Sequence, residues 1–159
     1  MTYSVRLPAH LPQRIYFCRH GQSIGNARGI NDASLASIAN HRFPLTEKGL
    51  SQAQQLGRYI ADGHVLAGGG GLAVTTLLRA EQTLNTILDE NETTLPILQD
   101  ARLDEWWKGI FHSMDQQERE LRYPAEDTIC AREGWYQYRA PQGEAGKDVE
   151  IRIRSFLQD

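Results

Sequence analysis

Ile15-Tyr16-Phe17-Cys18-Arg19-His20-Gly21 is the stretch on which the reading of this 159-residue chain turns. An apolar, β-prone run closes on a guanidinium, an imidazole and a glycine, so residues Arg14 to Cys18 are expected as a buried strand with Arg19 and His20 at its carboxyl end. In α/β sheets, ligands bind at that edge. A guanidinium is a planar fork of donors matched to phosphate oxygens, and a neighbouring imidazole can act as nucleophile or acid–base group. Arg-His-Gly alone occurs by chance in many proteins. Its weight comes from the residues downstream of it.

Gln22, Ser23 and Asn26 extend the tripeptide to Arg-His-Gly-Gln-Ser-x-x-Asn. Pro44-Leu45-Thr46-Glu47-Lys48-Gly49-Leu50-Ser51-Gln52-Ala53 comes next, then Leu78-Arg79-Ala80-Glu81-Gln82-Thr83 after a second apolar run. Arg102-Leu103-Asp104-Glu105 is followed by Gly109, and Pro141-Gln142-Gly143-Glu144-Ala145 precedes Asp148-Val149. These segments, in this order and at these spacings, resemble the histidine phosphatase superfamily, which includes the cofactor-dependent phosphoglycerate mutases. The resemblance runs from Arg14 to Leu157. It also implies a second essential His after a further strand, downstream of the Gly143-Glu144 segment. No His follows His112, so the chain reads as a family member lacking its final portion.

Elsewhere the pattern is that of alternating strands and helices. Residues 1–13 read as a lead-in arm, and Gly21 to Phe43 as a long loop with at most a helical turn near Leu35 to Ala39. Thr46 is placed to cap a helix whose Leu50, Ala53, Leu56, Gly57, Ile60 and Ala61 share one face. Gly68 to Gly71 precede the strand-like Leu72 to Leu77. A phosphate-cradling P-loop needs Gly-Lys-Ser/Thr running into a helix, so the glycines are read as a flexible turn. Arg79 to Glu90 is a helix with Ala80, Thr83, Leu84, Ile87 and Leu88 inward, and Leu95 to Leu98 a short strand. Met114 to Arg122 is a helix ending before Pro124. The last, about Ala145 to Leu157, buries Val149, Ile153, Phe156 and Leu157. The alternation implies one α/β domain over residues 1–159 with a mainly parallel sheet. The resemblance implies a three-layer α/β/α sandwich, phosphoglycerate mutase-like and incomplete at its C-terminus.

Composition narrows the function classes. A formal net charge of −3 gives no electrostatic case for nucleic acid or an anionic membrane. Cys18 and Cys130 are too few for a disulfide framework and suit free thiols in a reducing cytoplasm. No apolar stretch is long enough to span a bilayer, and no His/Cys/Asp cluster has metal-ligand spacing. The expectation is a cytoplasmic protein needing neither cofactor nor metal. Its partner is a small phosphorylated substrate or a phosphoprotein. Loss of the final strand would leave unpaired edges, so the chain is expected to be marginally stable or to pair with another chain, a homo-oligomer included.

Phosphoryl transfer needs an in-line nucleophile, cations for the equatorial oxygens and a proton donor for the leaving oxygen. His20 is the candidate nucleophile and Arg19 and Arg79 the candidate clamps. Thr75-Thr76 stands where the family often has Ser-Pro, which alters the loop and removes no charge. Glu105 is the candidate general acid and base, and Trp106 and Trp107 beside it would supply burial. Asp104 is its rival, and the choice rests on the family's Leu-x-Glu-x-x-x-Gly spacing. Gly21, Gln22, Ser23 and Asn26 are candidate substrate contacts, although Ser, Asn and Gly also shape turns. Glu144 suits either a pocket residue or a plain helix start. His41 and Arg42 either select the substrate's distal groups or are solvated, and none of His10, His41, His64 and His112 falls where the second imidazole belongs. The reading is a phosphomonoester hydrolase working through phospho-His20, weak or inactive without the second His. The long Gly25 to Phe43 insert and Trp106-Trp107-Lys108 favour it over a mutase-type phosphotransferase. A non-catalytic phosphate-binding or regulatory module is the alternative from a different class.

Overall fold

The computed structural model describes residues 14–29, 32–35, 37–63, 65–66, 71–112 and 114–159. The arm at residues 1–13, Gly68 to Gly70, His10 and His64 lie outside the described residues. Thr46 caps α2 (Glu47–Asp62) by accepting the Gly49 N–H, which satisfies one of the donors a helix start leaves unpaired. Gly49, Ala53 and Gly57 form its buried edge. Small residues there let α3 (Leu78–Glu90) approach closely: a Cβ on Gly57 would lie 2.8 Å from Glu90 Cβ. Ile87 and Leu88 of α3 are buried, each worth about 1.5–3 kcal/mol of burial. Asn91 seals the pair by donating to the Gly57 carbonyl at 2.9 Å. Leu50, expected inside, is 41 % exposed, because the contact with α3 runs along the small residues.

α3 is the crossover of a parallel βαβ unit. Leu72, Ala73 and Val74 of β1 (Leu72–Val74) pair with Ile97, Leu98 and Gln99 of β2 (Ile97–Gln99), one to one and in parallel. The two strands form the sheet among the described residues. The strand expected at Arg14 to Cys18 is not formed. Those residues take no regular secondary structure and are exposed, Phe17 at 91 %. A strand exists only through a pairing edge for its N–H and C=O groups, and none of the described edges reaches this run.

Gly21 to Phe43 also differs from a plain loop. Ser23 and Asn26 form a reciprocal capping box that starts α1 (Ile24–Arg28), and single 3-10 turns follow at Ala33–Leu35 and Asn40–Arg42, not at 35–39. After α4 (Gln116–Arg122), Pro124 begins α5 (Pro124–Glu133) as well as ending its predecessor, since a proline's missing N–H costs nothing in a first helical turn. A second apolar cluster lies here, with Phe111, Tyr138 and Ala140 buried against Ile129 and Cys130. α6 (Gly146–Gln158) half-buries Val149, Ile153 and Phe156 and leaves Leu157 exposed. No helix of the described residues is long and apolar enough to cross a membrane.

Candidate active site

The loop carrying His20 is held by backbone contacts that only glycine permits. A Cβ on Gly21 would lie 2.3 Å from the Gly49 carbonyl oxygen, and one on Gly49 would lie 2.2 Å from the Gln22 carbonyl oxygen. The His20 loop therefore rests directly on the first turn of α2. Thr46 N–H donates to the Gln22 carbonyl at 2.9 Å, and Ser23 and Leu45 form an antiparallel bridge. Gly21 N–H donates to Thr83 Oγ1 at 3.1 Å, which ties the same loop to α3.

His20 Nδ1 lies 2.7 Å from the Gly21 carbonyl oxygen. That acceptor requires the proton on Nδ1, which leaves Nε2 with a free lone pair in the neutral ring. Arg79 Nε donates to Nε2 at 3.2 Å. Burial pushes the His20 imidazole below its ordinary pKa; the Gly21 carbonyl and Glu105 oppose this, while Arg79 and Arg19 add to it. The ring is therefore neutral at neutral pH, the state a nucleophile needs.

Arg79, 3 % exposed at the start of α3, also donates from Nη1 to the Asn40 carbonyl at 2.9 Å and from Nη2 to Glu105 Oε2 at 2.7 Å. One guanidinium thus joins the candidate nucleophile, the 3-10 turn at Asn40 and the candidate acid–base group. Arg19, His20, Ser23, Asn26, Arg79 and Glu105 line one cleft of about 120 Å³, with Lys108 and His112 on its wall. Gly21 and Gln22 are not brought to that lining: the Gly21 amide is committed to Thr83, and Gln22 Oε1 accepts from Thr46 Oγ1. Ser23 and Asn26 reach the cleft while bonded to each other. Arg42 is exposed, and His41 lines a neighbouring cavity of about 420 Å³.

Glu105 is separated from its rival by its contacts. Both Asp104 oxygens are taken by Thr76, from its N–H at 2.7 Å and its hydroxyl at 2.6 Å. The Thr75-Thr76 variation is thus matched by a structural carboxylate. Burial of Glu105 between tryptophans is not found: its side chain is 56 % exposed. Trp106 instead donates to the Glu144 carbonyl and tilts against Trp135, and Trp107 stacks on His112. Glu144 fastens this loop from behind, accepting from Trp107 N–H at 3.0 Å and from Arg152 at 2.8 Å. Burial raises the Glu144 pKa, but Arg152 and the Trp107 amide outweigh it and hold the carboxyl below its usual range. Gly109, at φ +57°, lets the loop meet the Pro141 to Gly143 segment, where a Cβ would lie 2.1 Å from the Pro141 carbonyl oxygen.

A sequence profile of the histidine phosphatase superfamily (branch 1) matches residues 15–159. The chain belongs to the histidine phosphatase superfamily. Phosphoglycerate mutase-like protein AT74H of Arabidopsis thaliana is 30 % identical over 158 residues, covering 93 % of this chain and 53 % of that protein. Fructose-2,6-bisphosphatase of Saccharomyces cerevisiae is 31 % identical over 150 residues, covering 93 % and 29 %. The solved structure of YhfR from Bacillus stearothermophilus superposes with a TM-score of 0.64 at 26 % identity, covering 88 % of this chain and 63 % of that one. The chain spans about half the length of the plant relatives it matches. Sequence reasoning missed Asn40, Lys108 and His112 as cleft residues. They sit on turns, where periodicity carries no signal. Only the nearness of Lys108 and His112 to Gly109 could have drawn attention to them.

Proposed function

We propose that this histidine phosphatase-family chain is a phosphomonoester hydrolase that works through a phosphohistidine on His20. The observation that carries the reading is the His20 ring itself, with Nδ1 engaged by the Gly21 carbonyl and Nε2 turned toward a cleft shared with Arg79 and Glu105. In the free protein Arg79 Nε holds the lone pair of Nε2, so an entering phosphate must first take over that N–H. The clamp and the uncapping of the nucleophile are then one event.

Nε2 attacks phosphorus, the P–O ester bond breaks, and the leaving oxygen takes a proton that Glu105 acquires from solvent once the entering phosphate has drawn the Arg79 guanidinium away from it. Water then attacks the phosphohistidine, giving its proton to Glu105 as the P–N bond breaks and the imidazole is restored. Arg19 and Arg79 neutralise the equatorial oxygens throughout. Glu105, more than half exposed, is open to the water that the second half-reaction needs. That exposure favours hydrolysis over transfer to a second substrate.

The test is phosphate release from a panel of phosphomonoesters with a chelator present, comparing this chain with His20→Ala. Release by the parent that vanishes in the variant is the expected result, and equal release by both overturns the proposal. No turnover in a parent that still binds vanadate would favour the non-catalytic phosphate-binding module.

A further inference from the structure

The hydroxyl of Thr83 takes no part in the chemistry above, yet the residue is 4 % exposed and its oxygen is bonded on two sides. It donates to the Arg79 carbonyl at 2.7 Å and accepts the Gly21 N–H at 3.1 Å. The first bond is a common one, a helical threonine returning to the carbonyl one turn back. The second joins residues 62 positions apart. With its single proton committed to Arg79, Thr83 Oγ1 meets Gly21 with a lone pair, and the bond it donates strengthens it as an acceptor. Arg79 and Thr83 stand one turn apart on the same face of α3. From that face Arg79 Nε reaches the His20 ring at Nε2, and Thr83 reaches the peptide that joins His20 to Gly21.

Gly21 is where the nucleophile would otherwise lose its aim. Its contact with the Gly49 carbonyl admits no Cβ, and a residue without a Cβ turns freely about φ and ψ. That freedom matters here because the Gly21 carbonyl is the acceptor of the His20 Nδ1 proton. The same carbonyl shares a planar peptide with the Gln22 N–H, which donates to Gln52 Oε1 at 2.9 Å in an exposed contact. Thr83 supplies the buried hold on the peptide before it. We propose that Thr83 is a positioning residue: by fixing Gly21 against α3, it keeps the His20 proton on Nδ1 and aims the Nε2 lone pair into the cleft. This deepens, and rests on, the reading of His20 as the phosphoryl-accepting group. An aim set in this way acts on attack more than on binding, because Arg19 and Arg79 hold phosphate oxygens whichever ring nitrogen carries the proton.

The experiment compares the parent with Thr83→Val, which keeps the branched shape and removes the hydroxyl, and with Thr83→Ser, which restores it. Side-chain nitrogen NMR reads the tautomer of neutral His20, vanadate titration reads the clamp, and single-turnover phosphorylation of His20 by para-nitrophenyl phosphate reads the attack. The parent and Thr83→Ser are expected to keep the His20 proton on Nδ1, and Thr83→Val to show both tautomers. Phosphorylation should slow about tenfold in Thr83→Val, the value of one lost hydrogen bond, while vanadate affinity changes by less than about twofold. Thr83→Ser should recover most of the rate. An unchanged tautomer and rate in folded Thr83→Val, or a Thr83→Ser as impaired as Thr83→Val, overturns the inference and leaves the hydrolase reading standing. Hydrogen exchange at the Gly21 amide of the parent decides the matter even where Thr83→Val does not fold. Slow exchange is expected there, and exchange at the rate of an unprotected amide overturns the inference. A parent that never phosphorylates His20 overturns the hydrolase reading instead, and the tautomer and exchange measurements still decide whether Thr83 sets the ring.

Discussion

Replacing Arg79 by Lys keeps one positive charge at the start of α3 and removes the fork that distributes it. Arg79 donates to three acceptors that lie on different elements: His20 Nε2, the Asn40 carbonyl and Glu105 Oε2. A lysine ammonium concentrates its donors on one atom and cannot span them. Losing the bond to Asn40 from a charged donor costs about 1.5–3 kcal/mol. The pair with Glu105 is discounted to about 0–1 kcal/mol because that carboxylate is more than half exposed. The sum is about 1.5–4 kcal/mol, which at an m-value of ~2 kcal/mol/M lowers the urea midpoint by ~0.8–2 M. Trp106, Trp107 and Trp135 supply the fluorescence for that measurement. Vanadate affinity, read in parallel, should weaken by about 10–100-fold as the bidentate clamp is lost. An Arg79→Lys protein with the parent's midpoint and the parent's vanadate affinity would refute the idea that this fork assembles the site.

Gly49→Ala would place a methyl 2.2 Å from the Gln22 carbonyl oxygen. It should cost about 1–3 kcal/mol in urea unfolding and weaken vanadate binding, because the strain falls on the His20 loop; unchanged binding would show that the loop is not seated on α2. Both His20 and His112 are held below the ordinary histidine pKa, chiefly by burial. The unfolded chain therefore takes up more protons, and stability present above about pH 6.5 should be lost as pH falls through the folded-state values. A urea midpoint that rises on acidification from pH 7 to 5 would contradict that sign. Asp104→Ala should act on stability, by about 1–2 kcal/mol through Thr76, and Glu105→Gln on ester hydrolysis, by about 10²–10⁴. Unfolding curves and steady-state rates with both variants check this, and the reverse pattern would exchange the two carboxylates' roles.

What is legible in the sequence is what is local. The Thr46 cap, the α3 face and the last helix are written in side chains within a few turns of one another. Arg14 to Cys18 misleads because an apolar run states a preference for burial, whereas a strand also needs an edge from a distant part of the chain. α1 escapes detection although Ser23-x-x-Asn26 is a capping signature, since five residues carry no periodicity. α5 escapes it because Pro124, placed after a helical run, signals a stop as readily as a start. At the site, the motif residues His20, Arg79 and Glu105 do meet. His112 joins them through the turn at Gly109 and the stack on Trp107, a local turn geometry that hydrophobic periodicity does not encode.

The most direct test of the central claim is to look for the covalent intermediate. The chain would be mixed with a reactive phosphomonoester, quenched in alkali to preserve P–N bonds, and its peptides mapped by mass spectrometry. A phosphoryl group on His20, absent from His20→Ala, is the predicted result. Phosphate release without any phosphorylated His20, or a phosphoryl group on another residue, would contradict it.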